Sequence, residues 1–432
     1  MDMKRWRCTI CNQIFEGEQP PAPCPVCGAD ADAFELVEEA PEEGTAAPSA
    51  LRYLLVGGGV AALEAARAIR KQDPAGRITM VCGENTIPYN RPGLSDLVAG
   101  TKEFAGLLLK PMDWYAENGI RLLCGVTVTE IDHTSRTARL SDGQTVGYDR
   151  LLLATGASAF NPVQAQPGGP SVQVLRTVSD AYAALQLAGR SVLVVGGGIL
   201  GVEAALALHA QGCRVTICEL SDRLLALQAD AEASRRIRAA LEEAGIRVLC
   251  GTTVQTAARP VLLQNGETVE ADAVLVSIGI CSELALAKQL GLACERGIVV
   301  DESMRTGLPD VYAAGDCAQF GGRVSGLYPA ASMMGMTAGS NMAGKAAVYR
   351  PLPPATALDE PGIQMVSVGA LSSAPFAAFT SADGSEYRAV YAENGRVTGV
   401  LLWGRVNQSV AAAKAVREGA DPQKVCELLE MS

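Results

Sequence analysis

The sequence predicts an α/β protein in which one strand–turn–helix arrangement occurs twice, and three observations support this fold class. An apolar run that starts at Tyr53 breaks into the glycines at 57–59 and resumes as a helix-forming segment. The same pattern returns at 191–201, with glycines at 196–198. Four closely spaced cysteines occupy the first 36 residues. We therefore predict two doubly wound α/β domains, a four-cysteine module before them and a small α+β domain after them.

Composition and charge restrict the classes of protein to which the chain can belong. Its 432 residues, 48% hydrophobic and 19% charged, predict a globular protein of two or three domains. The apolar runs are too short to span a membrane, and no charged-then-apolar leader opens the sequence. The net charge of −11 argues against nucleic-acid and anionic-membrane partners. Thirteen cysteines without a signal peptide predict the reducing cytoplasm.

The first glycine turn has the spacing of a dinucleotide-binding fold. Gly57 allows the tight turn, Gly59 lets the backbone approach a pyrophosphate, and Ala62 keeps the helix close to the strand. The amino terminus of the helix then offers free N–H groups and a positive dipole end to the phosphates. A glycine-rich turn without a ligand is the alternative for one such pattern on its own.

The second glycine turn is complete, with Gly196, Gly198 and Gly201 in front of a helix predicted at 202–211. The following strand ends at Glu219, whose carboxylate would accept hydrogen bonds from ribose hydroxyls and repel a 2′-phosphate. This favours NADH over NADPH. In the first copy the corresponding acid is Glu84, two residues beyond the expected position, so a ribose-binding and a solvated surface acid are both open for it.

The four cysteines form two Cys-x-x-Cys pairs with metal-ligand spacing. Cys8 and Cys11 form the first pair, and Cys24 and Cys27 form the second. Four thiolates on two turns can occupy the corners of a tetrahedron, which suits zinc and iron alike. Residues 37–50 are rich in acids, proline and small residues without periodicity, which is typical of a flexible linker.

The sequence around these cysteines resembles a rubredoxin domain of the short type found in rubrerythrins. The resemblance covers 6–18 and 23–29, with Asn12 where the family usually has glycine. It implies a single iron that carries one electron at a time, and it favours iron over zinc.

The remainder of the chain, from about Arg52, resembles the two-dinucleotide flavoproteins of the pyridine-nucleotide reductase family. Segments 148–156, 271–279 and 310–316 carry this resemblance. It implies FAD on the first glycine turn and NADH on the second. The FAD contacts it implies include Val128, Thr155, Gly156 and Asp316, and Gly279 closes the NAD side. Asp316 would hydrogen-bond the ribityl chain of FAD, and a purely structural aspartate is the alternative.

The resemblance also divides the chain into domains. The predicted boundaries are 1–36 for the four-cysteine domain, 37–50 for the linker, 51–165 with 290–350 for FAD binding, 166–289 for NAD binding, and 351–432 for a C-terminal domain. The C-terminal domain is predicted to cover the flavin or to form a homodimer interface, and both alternatives stay open.

Segment 88–95 is most similar to NADH:rubredoxin reductases and to the reductase portions of nitrite reductases. By that resemblance Arg91 contacts the FAD pyrophosphate and Glu203 lies at the flavin. A lysine usually pairs with this glutamate, but the sequence has Asp96 there. Glu203 is then protonated, Asp96 points away, or another cation intervenes. A helix that opens around Pro329 would point its positive end at the flavin.

The resemblance implies an NADH-dependent oxidoreductase that passes hydride to FAD and then single electrons to the attached iron. Rubrerythrin, a flavo-diiron protein or superoxide reductase would be the onward protein acceptor. One alternative is an NADH oxidase or peroxide reductase whose flavin reacts directly with its substrate. Another is a reductase whose N-terminal module is a zinc-containing docking domain.

Overall fold

The computed structural model describes residues 4–8, 14–22, 24, 31–36, 51–372 and 374–431. In these ranges the α-helices are α1 (Val60–Gln72), α2 (Leu94–Ala99), α3 (Met112–Glu117), α4 (Val178–Leu185), α5 (Ile199–Ala210), α6 (Ala231–Glu243), α7 (Ala285–Gln289), α8 (Tyr328–Met342), α9 (Ser409–Glu418) and α10 (Pro422–Leu428). Short 3-10 helices lie at Ala31–Ala33, Arg91–Gly93 and Phe104–Leu107.

The strands of the same ranges are β1 (Lys4–Cys8), β2 (Ile14–Gly17), β3 (Phe34–Leu36), β4 (Arg52–Val56), β5 (Arg77–Cys82), β6 (Ile120–Cys124), β7 (Val128–Asp132), β8 (Thr137–Leu140), β9 (Thr145–Gly147), β10 (Arg150–Leu153), β11 (Ala157–Ala159), β12 (Ser171–Val174), β13 (Ser191–Val195), β14 (Arg214–Glu219), β15 (Arg247–Cys250), β16 (Val254–Thr256), β17 (Val261–Leu263), β18 (Thr268–Val269), β19 (Ala273–Val276), β20 (Ile280–Ser282), β21 (Ile298–Val299), β22 (Val311–Ala313), β23 (Ala318–Gln319), β24 (Ala355–Glu360), β25 (Ile363–Gly369), β26 (Ala377–Thr380), β27 (Tyr387–Glu393) and β28 (Arg396–Trp403).

Two five-stranded parallel sheets form the centre of the molecule. The first has the order β22-β10-β4-β5-β6, and the second has the order β12-β19-β13-β14-β15. Their central strands β4 and β13 are continuous apolar runs, RYLLV and SVLVV, because helices cover both faces of a parallel sheet. The prediction of an α/β fold with two doubly wound halves is confirmed. The antiparallel pair β11-β20 connects the two halves.

A third five-stranded sheet, antiparallel with the order β24-β25-β28-β27-β26, forms the C-terminal region. Its strands alternate between two apolar faces, as the two-residue period of a strand requires. One face packs against the second half of the body through Leu358, Met365, Tyr387, Ala389, Leu401 and Trp403. The other face packs against α9 and α10 through Val366, Val368, Val390, Val400 and Leu402. The sheet is therefore fixed between the body and the last two helices.

Helix α5 begins earlier than the sequence predicts. We expected it at 202–211, and the structure places it at Ile199–Ala210, directly after Gly198. Gly201 is consequently inside its first turn, where a Cβ atom would lie 2.0 Å from the carbonyl oxygen of Gly196. The third glycine of the motif allows the close contact between helix and turn. Helix propensity predicts too late a start for this helix because glycine is a poor helix former.

Some predicted features lie outside the described residues. These are Cys11 and Cys27 of the metal set and the linker at 37–50. None of the helices in the part of the chain that the structure describes combines the length and the apolar character that crossing a membrane requires.

Helices α1 and α8 pack so closely that glycine is required between them. A Cβ atom at Gly339 would lie 2.4 Å from the carbonyl oxygen of Ala65, and one at Gly335 would lie 2.1 Å from that of Ala61. Both glycines are buried inside α8. Because the obstructing atoms belong to a helix backbone, they cannot move aside as a flexible side chain can.

We expect Gly339→Ala to destabilise the protein by about 1–3 kcal/mol, because the cost of overpacking exceeds the gain of about 1 kcal/mol in helix propensity. Chemical denaturation of both proteins measures this difference. Gly307→Ala is the matched control, because Gly307 is exposed and a Cβ atom there would meet nothing within 4 Å. A Gly339→Ala protein as stable as this control would contradict the prediction.

Candidate functional site

Both glycine turns open into one cavity of about 1740 Å³ between the two parallel sheets. Ligand pockets in proteins usually measure about 300–1,000 Å³, so this cavity can hold more than one small ligand. Its walls include the carboxyl ends of β4, β5, β10 and β13, the amino terminus of α8, and strand β24. Ligands of open α/β sheets bind at this edge.

The first turn has the geometry that a dinucleotide needs. Gly57 has φ of 142°, and a Cβ atom there would lie 2.0 Å from the carbonyl oxygen of Ala154. At Gly59 a Cβ atom would meet no protein atom within 4 Å, so the space beside this backbone is open. The amino terminus of α1 follows immediately at Val60. The turn therefore fits a pyrophosphate that approaches Gly59.

The second turn repeats this geometry. Gly196 has φ of 110°, and a Cβ atom there would lie 2.2 Å from the carbonyl oxygen of Ser277. The space beside Gly198 is open to 4 Å, and α5 begins at the next residue. A second dinucleotide therefore fits here by the same physical criteria.

Most of the predicted cofactor residues line this cavity. They are Gly57, Gly59, Glu84, Arg91, Val128, Thr155, Gly156, Gly196, Gly198, Glu203, Glu219, Gly279, Asp316 and Pro329. Ala62 and Gly201 do not line it and instead lie in the first turns of α1 and α5, where both are buried. Their contribution is to hold each helix close to its turn.

The acids at the two turns are placed differently. Glu219 ends β14, and its carboxylate accepts hydrogen bonds from the backbone N–H groups of Gly197 at 2.6 Å and Ser221 at 2.7 Å. In the first half the residue at the end of the corresponding strand, beside the turn, is Cys82, whose Sγ would lie 2.5 Å from a Cβ atom at Gly58. Glu84 lies further along and forms an ion pair, so it is not simply a solvated acid. Binding of ribose by either acid stays a prediction.

Arg91 is at the centre of a polar network in the cavity wall. Its guanidinium pairs with the carboxylate of Glu84 at 2.6 Å, and it donates to the Tyr89 hydroxyl at 3.1 Å and to the carbonyl oxygen of Arg176. The Tyr89 hydroxyl in turn donates to Glu84 at 2.7 Å and accepts from the N–H of Val178 at 3.0 Å. Burial raises the pKa of Tyr89, which therefore stays a neutral donor.

Asp316 is held by an arginine that the sequence analysis did not select. The guanidinium of Arg176 donates to its carboxylate at 2.8 Å and to the carbonyl oxygen of Ala157 at 3.0 Å. The backbone carbonyl oxygen of Asp316 accepts from the Ser282 hydroxyl at 2.7 Å. The carboxylate is therefore fixed at the cavity wall, and its ribityl contact stays a prediction.

Glu203 lies in the cavity wall among other acids. Asp96 forms an ion pair with Lys102 at 2.8 Å, so the carboxylate at the usual lysine position has a cation of its own. Burial, then the charges of Glu360 and Asp96, raises the pKa of Glu203 to about 8. Burial, with the charges of Asp96 and Asp359, also raises the pKa of Glu360 to about 7. The raised pKa favours the protonated form of Glu203 at neutral pH, the first of the three alternatives, and the Lys102–Asp96 ion pair corresponds to the third.

Tyr89, Arg176, Glu360 and strand β24 were missed by sequence reasoning. Tyr89 lies inside the segment that carried the resemblance, and the pair Thr177 and Asp180, which caps α4, marks the turn that positions Arg176. No sequence signal connects Glu360 or β24 to the site, because packing of the C-terminal sheet brings them there.

Two of the four predicted metal ligands are described, and they lie in the same buried cluster. Cys8 is 0% exposed and Cys24 is 2% exposed, and Ala33, Phe15 and Phe34 pack with them. Two buried thiol groups in one small apolar core fit a metal held by thiolates. The fold and the sites together define a protein with two halves of the dinucleotide-binding type and a cysteine module at its amino-terminal end.

Comparison with known proteins supports this class. Residues 51–335 match the pyridine nucleotide-disulphide oxidoreductase family, and residues 6–35 match the rubredoxin-like domain of rubrerythrin. An NADH-rubredoxin oxidoreductase from Clostridium acetobutylicum is 28% identical over 84% of this chain and 94% of its own length. A rubredoxin-NAD(+) reductase from Pseudomonas putida is 34% identical over 62% of this chain and 72% of its own.

Solved structures show the same fold. The crystal structure of a covalent putidaredoxin reductase–putidaredoxin complex matches with a TM-score of 0.78 and 28% identity, and covers 87% of this chain and 95% of that chain. The chain belongs to the pyridine nucleotide-disulphide oxidoreductase family, with a rubredoxin-like domain at its amino-terminal end. It is a flavin- and NADH-dependent oxidoreductase.

The raised pKa of Glu203 predicts a pH-dependent difference in stability between the native protein and Glu203→Gln. The folded state holds the proton up to about pH 8, whereas the unfolded chain releases it near pH 4.5. The stabilisation from this group is therefore complete below pH 4.5 and is lost as the pH rises through about 8. Glutamine does not titrate. The melting temperature of Glu203→Gln should therefore increase relative to that of the native protein as the pH increases.

The exposed Glu243 of α6 provides the control, since Glu243→Gln changes the same group on the surface. Parallel curves for the native protein and Glu203→Gln across this range would show that Glu203 is ionised in the folded state.

Proposed function

We propose that the protein transfers electrons from NADH through FAD to an iron atom held by Cys8, Cys11, Cys24 and Cys27, and onward to a protein acceptor. One observation carries the proposal. Two glycine turns with open space beside Gly59 and Gly198 share a single cavity, so two dinucleotides can meet there. FAD at the first turn would supply the chemistry that accepts the two electrons of a hydride and releases them one at a time.

The residues of the chain then have separate tasks. The turn at Gly59 and the guanidinium of Arg91 hold the pyrophosphate of FAD, and Asp316, fixed by Arg176, accepts a hydrogen bond from the ribityl chain. The turn at Gly198 and the carboxylate of Glu219 hold NADH. A carboxylate accepts hydrogen bonds from the ribose hydroxyls of NADH but repels the 2′-phosphate of NADPH.

Glu203 and the helix α8 provide the electrostatic environment. The protonated carboxyl of Glu203 adds no negative charge to the site where a hydride must arrive. The amino terminus of α8, with Tyr328 and Pro329 in the cavity wall, directs its positive dipole end inwards. This end stabilises negative charge that develops on a bound cofactor.

The metal module continues the route for single electrons. Its resemblance to rubredoxin favours iron, and the relatives named for rubredoxin reduction support a one-electron acceptor at this point. Rubrerythrin, a flavo-diiron protein or superoxide reductase is the proposed onward acceptor. Its cysteine content favours a reducing cytoplasm as the location. A homodimer through the C-terminal region remains a further prediction.

The two dinucleotide sites can be tested independently by adding one methyl group to one turn at a time. Gly59→Ala should weaken FAD retention, and Gly198→Ala should leave FAD bound and raise the KM for NADH. A lost hydrogen bond to a charged group costs about 1.5–3 kcal/mol, so each effect should be roughly 10- to 100-fold. Flavin absorbance of the purified protein and steady-state kinetics measure them.

Gly106→Ala is the control, because a Cβ atom there meets nothing within 4 Å and Gly106 does not line the cavity. Loss of FAD from Gly198→Ala with normal NADH kinetics in Gly59→Ala would reverse the assignment.

The metal can be tested by elemental analysis and by anaerobic titration with NADH. We expect one iron per chain, and both the flavin and the ferric-thiolate absorbance should decrease on addition of NADH. Cys8→Ser should lose the iron and the transfer to added rubredoxin, while NADH still reduces the flavin. One zinc per chain would favour the docking module, and full rubredoxin reduction by Cys8→Ser would favour direct reaction at the flavin.

A further inference from the structure

Strand β24 contains residues that line the cavity and also contact the cysteine module. Ala355 and Ala357 line the cavity. The same two alanines pack against the buried cluster of Cys8 and Cys24. The module therefore lies directly behind one wall of the cavity, and small side chains form that wall.

Helix α9 completes the contact. Val410 and Ala413, one turn apart on this helix, pack against the same cluster, and the 3-10 helix Ala31–Ala33 of the module lies next to α9. Residues on the other side of α9, such as Ala412 and Ala415, are buried against the C-terminal sheet. One helix thus joins the module to the sheet that covers the cavity.

The contact is apolar, and the two described cysteines lie in the cluster that the body residues contact. Phe15 and Phe34 pack in the cluster beside the two cysteines, and Cys8 and Cys24 are almost completely buried. Association through such a surface excludes water and shortens the path between two redox centres. The linker that the sequence predicts at 37–50 would have a reach of about 20 Å and would hold the module at an effective concentration on the order of millimolar.

We propose that Ala355 and Ala357 of β24, with Val410 and Ala413 of α9, form the docking surface of the chain's own cysteine module, and that protein acceptors take electrons from the docked module. This inference rests on the proposed function. It adds that the docked module receives its electrons through this surface. One electron would pass from the reduced flavin through the wall of β24 to the iron, so that the flavin loses one electron and the iron gains it.

Ala413→Lys tests the docking surface in the full-length holoprotein, because a long charged side chain in an apolar contact is costly to bury. Two measurements are needed. Hydrogen–deuterium exchange should increase in β24, α9 and β1–β3. After anaerobic mixing with NADH, flavin reduction should keep its rate, while reduction of the iron and of added rubredoxin should slow about tenfold, since a tethered encounter replaces a docked complex.

Ala411→Lys is the matched control, because it makes the same change on the same helix outside the contact. Val410→Ser, which removes apolar contact without adding charge, should act in the same direction as Ala413→Lys even if the lysine variant fails to fold. Iron reduction and exchange equal to those of the control in both variants would overturn the docking surface. Iron that stays oxidised in the native protein, with protected β24 and α9, would instead overturn the proposed function.

Discussion

The close contact between each glycine turn and a carbonyl group of the neighbouring strand determines where the sites lie. At Gly57 and Gly196 no Cβ atom fits, because the carbonyl oxygens of Ala154 and Ser277 would be 2.0 and 2.2 Å away. These carbonyls follow β10 and β19, which pair with the central strands β4 and β13. The contact therefore places both turns at the carboxyl edges of their sheets. The small sheet β11-β20 joins the halves, and the two edges face one cavity.

The acids around Glu203 show which electrostatic effect dominates in that cavity. The family that the sequence resembles commonly has a lysine where this chain has Asp96, and a cation at that position would favour the ionised form of Glu203. Here burial is the largest cause of its raised pKa, and the charges of Glu360 and Asp96 act in the same direction. Asp96 also forms an ion pair with Lys102. The result is a carboxyl group that can donate a hydrogen bond at neutral pH.

The C-terminal sheet connects parts of the chain that the sequence leaves separate. One of its faces packs on the second half of the body, and the other packs on α9 and α10. Its edge strand β24 lines the cavity and contacts the cysteine module. The C-terminal domain was predicted either to cover the flavin or to form a dimer interface. Because this sheet forms part of the cavity wall, the structure supports the first alternative.

The sequence alone determined the fold class, the two turns and the cysteine pairs, because each depends on residues that are close together in the chain. Glycine spacing, apolar runs and cap residues act locally, and the motif residues therefore occur in the cavity wall or in the first turns behind it. Only the tertiary structure decided the partners of Asp316 and the environment of Glu203. Arg176 and Glu360 lie far from them in sequence, and desolvation depends on everything that packs around a group, which no local pattern contains.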